Sequence, residues 1–173
     1  DADGDSDAFI GNLYFKNIGT QTNAKFSAPV IDPFGLGVSP DFLDIDRDGD
    51  LDVISGETLF LNEGDAANPK FPTGGVYLSS LNDSGYRLSL TNHSFVDIDG
   101  DGDLDAFIGN GYFGGSTLFF RNTGTVSNPK FAAANPNPFG LIGLGEYASP
   151  TFADVDSDGD LDVLLGEGYG NTV

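Results

Sequence analysis

The sequence predicts an all-β fold, a β-propeller-like array of four-stranded blades that reads as an incomplete propeller fragment. Three observations predict it. An acidic loop motif occurs four times, a strand-and-turn motif recurs in phase with it, and no stretch of ten or more residues carries a helical period.

Composition frames those elements. The chain has 173 residues, enough for one ordinary domain with its own core. It is 39% hydrophobic, with 15 Phe and 6 Tyr, so it can bury enough apolar surface to fold despite a formal charge of -20. The 25 Gly and 9 Pro suit short strands joined by turns. Cysteine is absent, which excludes disulfides and thiolate metal sites. No apolar run reaches the length of a membrane span. With seven Lys and Arg in so acidic a chain, nucleic acid is excluded as a partner, because phosphate recognition needs clustered cations. The chain opens on "DADGDSDAF", already inside a motif and without Met, and reads as a piece of a longer protein. The lack of a targeting signal therefore says nothing about location.

The charge is concentrated. Four stretches align without gaps: "DADGDSDAFIGN" (1–12), "DIDRDGDLDVISGE" (44–57), "DIDGDGDLDAFIGN" (97–110) and "DVDSDGDLDVLLGE" (154–167). Their aspartates account for 19 of the 27 acidic residues, and the other eight nearly balance the seven Lys and Arg. A solvated acidic face would scatter its carboxylates instead. The first stretch lacks the opening Asp-x of the others.

The second motif is F-x-N-x-G-x-x-x-N-x-K-F, seen as "FKNIGTQTNAKF" (15–26), "FLNEGDAANPKF" (60–71) and "FRNTGTVSNPKF" (120–131). Upstream of two loops, "DPFGLGVSPDFLD" (32–44) and "NPFGLIGLGEYASPTFAD" (137–154) also match. Loop starts at Asp44, Asp97 and Asp154 give periods of 53 and 57 residues, and Asp1 precedes its counterpart Asp46 by 45. Repeats of this length with insertions between units point to stacked supersecondary units.

Within a unit, "SPDFLD", "NHSFVD" and "SPTFAD" place Phe42, Phe95 and Phe152 in one register before the loop. An apolar alternation such as "LDVISG" follows it, and "TLFLN" or "TLFFRN" supplies a further strand ending in an Asn-x-Gly turn. Three or four strands with the loop joining the first two make a propeller blade. The chain divides into a partial blade 1–31, blades 32–80 and 81–136, and a partial blade 137–173, all within one repeat domain. The recurring phenylalanines are read as packing between sheets.

Numbered from Asp44, the loop has carboxylates at positions 1, 3, 5, 7 and 9 and glycine at position 6. Alternate side chains of a tightly wound loop converge, and glycine permits the sharp turn. Such a density of hard oxygen ligands suits Ca²⁺, which takes six to eight oxygens at about 2.3–2.6 Å; zinc would call for His or Cys. By analogy with known calcium loops, positions 1, 3, 5 and 9 bind through side chains. These are Asp44, Asp46, Asp48 and Asp52; Asp97, Asp99, Asp101 and Asp105; and Asp154, Asp156, Asp158 and Asp162. Position 7, which is Asp50, Asp103 or Asp160, binds through its backbone carbonyl. Three Ca²⁺ sites are expected. A fourth is left open at the first loop, with Asp1, Asp3 and Asp7 as side-chain ligands and Asp5 at position 7. An EF-hand is rejected, because it needs Glu at position 12 and flanking helices; Ser55, Ile108 and Leu165 stand there.

The D-x-D-x-D-G-D-L-D loop followed by an apolar strand and Gly, and then "LFFRNTG" (118–124), resembles the FG-GAP/VCBS repeat family, on the branch found in large secreted bacterial proteins. The resemblance covers essentially the whole chain. It implies propeller blades, an extracellular setting, and calcium held on each blade's first hairpin as a structural ion.

Other residues offer less chemistry. His93 is the only histidine and reads as structural or exposed. Glu57 and Glu167 occupy equivalent places in different units, so a shared structural role outweighs a glycosidase pair. Tyr112 and Phe113 sit in a Gly-rich hairpin that could present them to a partner. The function expected is a non-enzymatic, calcium-stabilised structural or adhesive module, secreted or on the cell surface, that makes protein or glycan contacts. Its partners are neighbouring repeats of a larger chain, or other copies joined through open sheet edges. The alternatives are a propeller of a polysaccharide-degrading enzyme, accessory or catalytic, and a subunit of an extracellular filament or surface layer.

Overall fold

A computed structural model describes residues 2–37, 40–56, 58–78, 92–109, 117–136, 138–141 and 148–166. Among the described residues the fold is all-β, in four antiparallel sheets. The first sheet runs β1 (Ala8–Ile10), β2 (Leu13–Phe15), β3 (Val30–Ile31). The second runs β4 (Asp41–Leu43), β5 (Asp52–Ser55), β6 (Thr58–Phe60), β7 (Val76–Tyr77). The third runs β8 (His93–Val96), β9 (Asp105–Gly109), β10 (Thr117–Phe120), β11 (Asn135–Pro136). The fourth pairs β12 (Ser149–Ala153) with β13 (Asp162–Gly166). Strand order follows chain order, as short turns between antiparallel strands dictate. A single 3-10 turn, Pro138–Gly140, is the one helical segment among the described residues.

The repeat is visible in the register. Phe42 pairs with Val53, Phe95 with Ala106 and Phe152 with Val163, so each acidic loop spans the same hairpin corner. Side chains alternate along a strand, so residues 10 and 12 of the motif face one side of the sheet and residue 11 faces the other.

The chain forms two compact units, residues 1–76 and 77–173. In the first, Phe9 at motif position 11 packs on Phe42 of the next sheet at 4.7 Å between ring centroids, with Tyr14 at 5.0 Å and Phe34 at 6.4 Å. In the second, its counterpart Phe107 packs on Phe152 at 4.5 Å, with Phe119 at 4.8 Å and Phe139 at 6.2 Å. One aromatic quartet thus recurs, each pair contributing about 0.5–1.5 kcal/mol beyond area burial. Phe107 is fully buried, and so, on the other face of that sheet, are Ala106, Ile108, Leu118 and Phe120. Gly109 is required by close approach, since a Cβ there would lie 1.6 Å from the Ala148 carbonyl oxygen.

On the first and fourth sheets, the faces turned away from these junctions stay open. Ile10 pairs with Leu13 and Leu13 with Ile31, giving an apolar row on which Ile10 and Ile31 are 66% and 71% exposed. Leu164 of β13, at the position of the buried Phe107, is exposed.

Candidate metal centre

Each loop is wound by its own carboxylates. The position-1 aspartate accepts two backbone N–H bonds from ahead in the loop. Asp44 takes Asp48 at 3.1 Å and Gly49 at 3.2 Å; Asp97 takes Gly100 at 2.8 Å and Gly102 at 3.0 Å; Asp154 takes Asp158 and Gly159, both at 3.1 Å. Position 5 then caps the N–H of position 7, from Asp50 to Asp48 at 3.0 Å, Asp103 to Asp101 at 3.1 Å, Asp160 to Asp158 at 2.9 Å and Asp5 to Asp3 at 3.2 Å. The backbone turns left-handed at position 6, with φ of +93° to +97° at Gly4, Gly49, Gly102 and Gly159. It does so at position 4 as well, where Ala2, Arg47 and Ser157 have φ of +59°, +58° and +64°. Non-glycine residues there carry strain.

This winding brings oxygens together. One carboxylate oxygen from each of Asp44, Asp46 and Asp48 lies within 4.8 Å of the others, and likewise for Asp97, Asp99 and Asp101. In the fourth loop the trio is Asp154, Asp156 and Asp162. Oxygen atoms of Asp46, Asp50, Asp103 and Asp105, and Asp5 in the first loop, are buried without a hydrogen-bond partner. Burial and then the neighbouring Asp48 raise the carboxyls of Asp46 and Asp50; burial and then Asp101 raise Asp103; burial and then Asp3 raise Asp5. Converging carboxylates that repel one another, with a buried Asp46 oxygen that lacks a donor in one trio, fit a divalent cation such as Ca²⁺. Positions 1, 3 and 5 would hold it in the second and third loops, and positions 1, 3 and 9 in the fourth.

Position 9 has a second role. Asp52 is 1% exposed; its Oδ1 accepts the Asn62 N–H at 2.8 Å and its Oδ2 the Ile45 N–H at 3.0 Å. Asp105 and Asp7 likewise accept the N–H of Asn122 and Asn17, each at 2.7 Å, and Asp162 accepts that of Val155 at 3.0 Å. Burial pushes Asp52 and Asp105 up to about 6, outweighing the backbone bonds that lower them. Asp7 also accepts the Tyr14 hydroxyl at 3.0 Å, and burial with that bond pushes the Tyr14 phenol up to about 12.

The asparagines at the other end of these bonds were legible in the sequence only as turn formers, yet they are anchors. Asn62 Oδ1 accepts the N–H of Gly64 at 3.0 Å and Lys70 at 2.8 Å, and Asn17 and Asn122 do the same with Gly19 and Lys25, and with Gly124 and Lys130. All three are buried. Each F-x-N-x-G-x-x-x-N-x-K segment is thereby closed into a hairpin bonded to the acidic loop through position 9. The signal for this was the in-phase recurrence of Asn at the third position. The residue before that Asn varies, and in two copies it is a cation on the loop: Arg121 pairs with Asp99, and Lys16 lies 3.9 Å from Asp3.

His93 opens β8 half-buried, paired with Ile108. Asp1, Glu57, Tyr112, Phe113 and Glu167 lie outside the described residues. No helix among the described residues is long and apolar enough to cross a membrane.

No curated protein and no solved structure matches this chain. A family model does. It spans residues 97–165, from the opening aspartate of the third loop through the Asn122 hairpin to β13, and it describes an FG-GAP-like repeat. Residues 97–165 are therefore similar to a repeat of the FG-GAP type.

Proposed function

We propose that this chain is a calcium-stabilised repeat module of an extracellular protein, non-enzymatic, whose loops and sheet faces serve protein or glycan contacts. The observation that carries the reading is the convergence of three carboxylates in each of three loops. Left alone, such charge opposes folding; with Ca²⁺ bound, each loop becomes a rigid corner holding β4 to β5, β8 to β9 and β12 to β13. Neighbouring repeats are the proposed partners. The apolar row of Ile10, Leu13 and Ile31 lies opposite the face that packs on Phe42, so a preceding repeat would bury it.

Thermal unfolding in excess EDTA, with Ca²⁺ or Mg²⁺ then added back, tests the reading. Ligand that binds only the folded state raises the midpoint as its free concentration rises. A Ca²⁺-selective rise is the expected outcome. No rise, in a sample shown to be metal-free, would overturn the reading. Turnover of any substrate on a polysaccharide panel would overturn its non-enzymatic part.

A further inference from the structure

The aromatic quartet closes a core in the second unit but not in the first. Phe107 and Phe119 are 0% and 9% exposed, whereas their counterparts Phe9 and Tyr14 remain half-buried and line an open cavity of about 660 Å³. Phe34, Phe42 and Phe71 extend that wall, with Phe34 and Phe71 edge to face at 5.6 Å. The volume falls within the range of about 300–1,000 Å³ usual for small-molecule sites. The other wall is acidic: Asp5, Asp7 and Asp50 line it, and no Lys, Arg or His among the described residues does. The Asp7 carboxylate is occupied by Tyr14 and Asn17. Asp50 is 7% exposed; the Asn62 side chain bonds its carboxylate, but its Oδ1 has no hydrogen-bond partner. The calcium-loop analogy uses the Asp50 backbone carbonyl and not this oxygen.

From this pairing we infer that the cavity between the first two acidic loops is a binding site for a small organic ammonium compound. Ring faces carry a negative quadrupole that attracts alkylammonium groups and does nothing for anions. A buried carboxylate oxygen without a donor gains most from a ligand that brings both N–H groups and positive charge. Five rings supply the apolar surface for the alkyl part, and the site's charge rejects phosphate- or carboxylate-bearing ligands. This site lies outside the metal trios and goes beyond the structural role proposed above.

The test uses n-butylammonium and its neutral counterpart 1-butanol, titrated into the calcium-saturated chain at physiological salt and followed by ligand-observed NMR. Calcium saturation separates the cavity from the acidic loops as a source of charge attraction. Saturable binding of the ammonium, with the alcohol about tenfold weaker or more, is expected. Ala67→Trp, an exposed position on the cavity wall whose backbone bond to Asp65 survives, fills the cavity and should abolish binding while leaving the calcium-dependent midpoint in place. Asp50→Asn should weaken the ammonium and not the alcohol. No ammonium binding, equal binding of both probes, or binding untouched by Ala67→Trp would each overturn the assignment.

Discussion

Asn62 shows how much one side chain can hold. Its Oδ1 satisfies two backbone donors, Gly64 and Lys70, and its own N–H is satisfied by Asp52. Asn62→Ala leaves two N–H groups without an acceptor in a partly buried hairpin, a loss of about 1–3 kcal/mol. Asn23→Ala, at an exposed tip, should stay within about 0.5 kcal/mol. Urea unfolding of both variants in EDTA checks the contrast. Arg121 shows a different residue-scale effect. Its guanidinium sits on Asp99, so a metal entering the third loop meets a resident cation that the second loop, with Leu61 at that place, lacks. The carboxylates themselves were legible in the sequence because they repeat at period two. The anchor role of the asparagines was not, because it depends on a bond to a residue ten to seventeen positions away.

At the scale of the loop, backbone conformation decides. Gly49 has φ of +95° and nothing within 4 Å of where a Cβ would stand, so Gly49→Ala costs only backbone strain, about 1 kcal/mol. Arg47 is left-handed at +58°, and Arg47→Gly has the opposite sign, relieving strain at some cost in unfolded-state entropy. Chemical denaturation midpoints at saturating calcium measure both, with Gly49→Ala lower than the parent and Arg47→Gly equal to it or higher. Position 6 was visible as glycine in every copy. Position 4 was not, since Ala2, Arg47, Gly100 and Ser157 share a conformation and no side-chain chemistry.

For the whole molecule, acidity and fold pull against each other. Asp52 and Asp105 sit at about 6 in the folded chain, above the ordinary carboxylate value of 3.8, because burial disfavours their charge. The folded state therefore holds protons that the unfolded chain has released. In EDTA, this stability is fully present below about pH 3.8 and is lost as the pH rises through about 6. The metal-free midpoint should accordingly fall between pH 4.5 and pH 7.5. With calcium the trend reverses, because protons compete with the ion for the converging loop carboxylates. Midpoints from circular dichroism across that range, with and without calcium, give the two slopes. A metal-free chain that grows more stable as pH rises would contradict the burial of these groups.

The all-β repeat, the loop positions and the glycine turns were legible along the chain, since each is a local pattern of period two or a recurrence. Tertiary structure alone decided which carboxylates meet. Position 9 joins the carboxylate trio in the fourth loop, while Asp52 and Asp105 turn to the N–H groups of Asn62 and Asn122, because β6 and β10 bring those donors alongside. It also decided that the same aromatic quartet closes around Phe107 and stays open around Phe9, where Tyr14 stands in place of Phe119 and its hydroxyl is drawn to Asp7. Such outcomes depend on which surfaces press together across sheets, and a one-dimensional pattern does not carry that information.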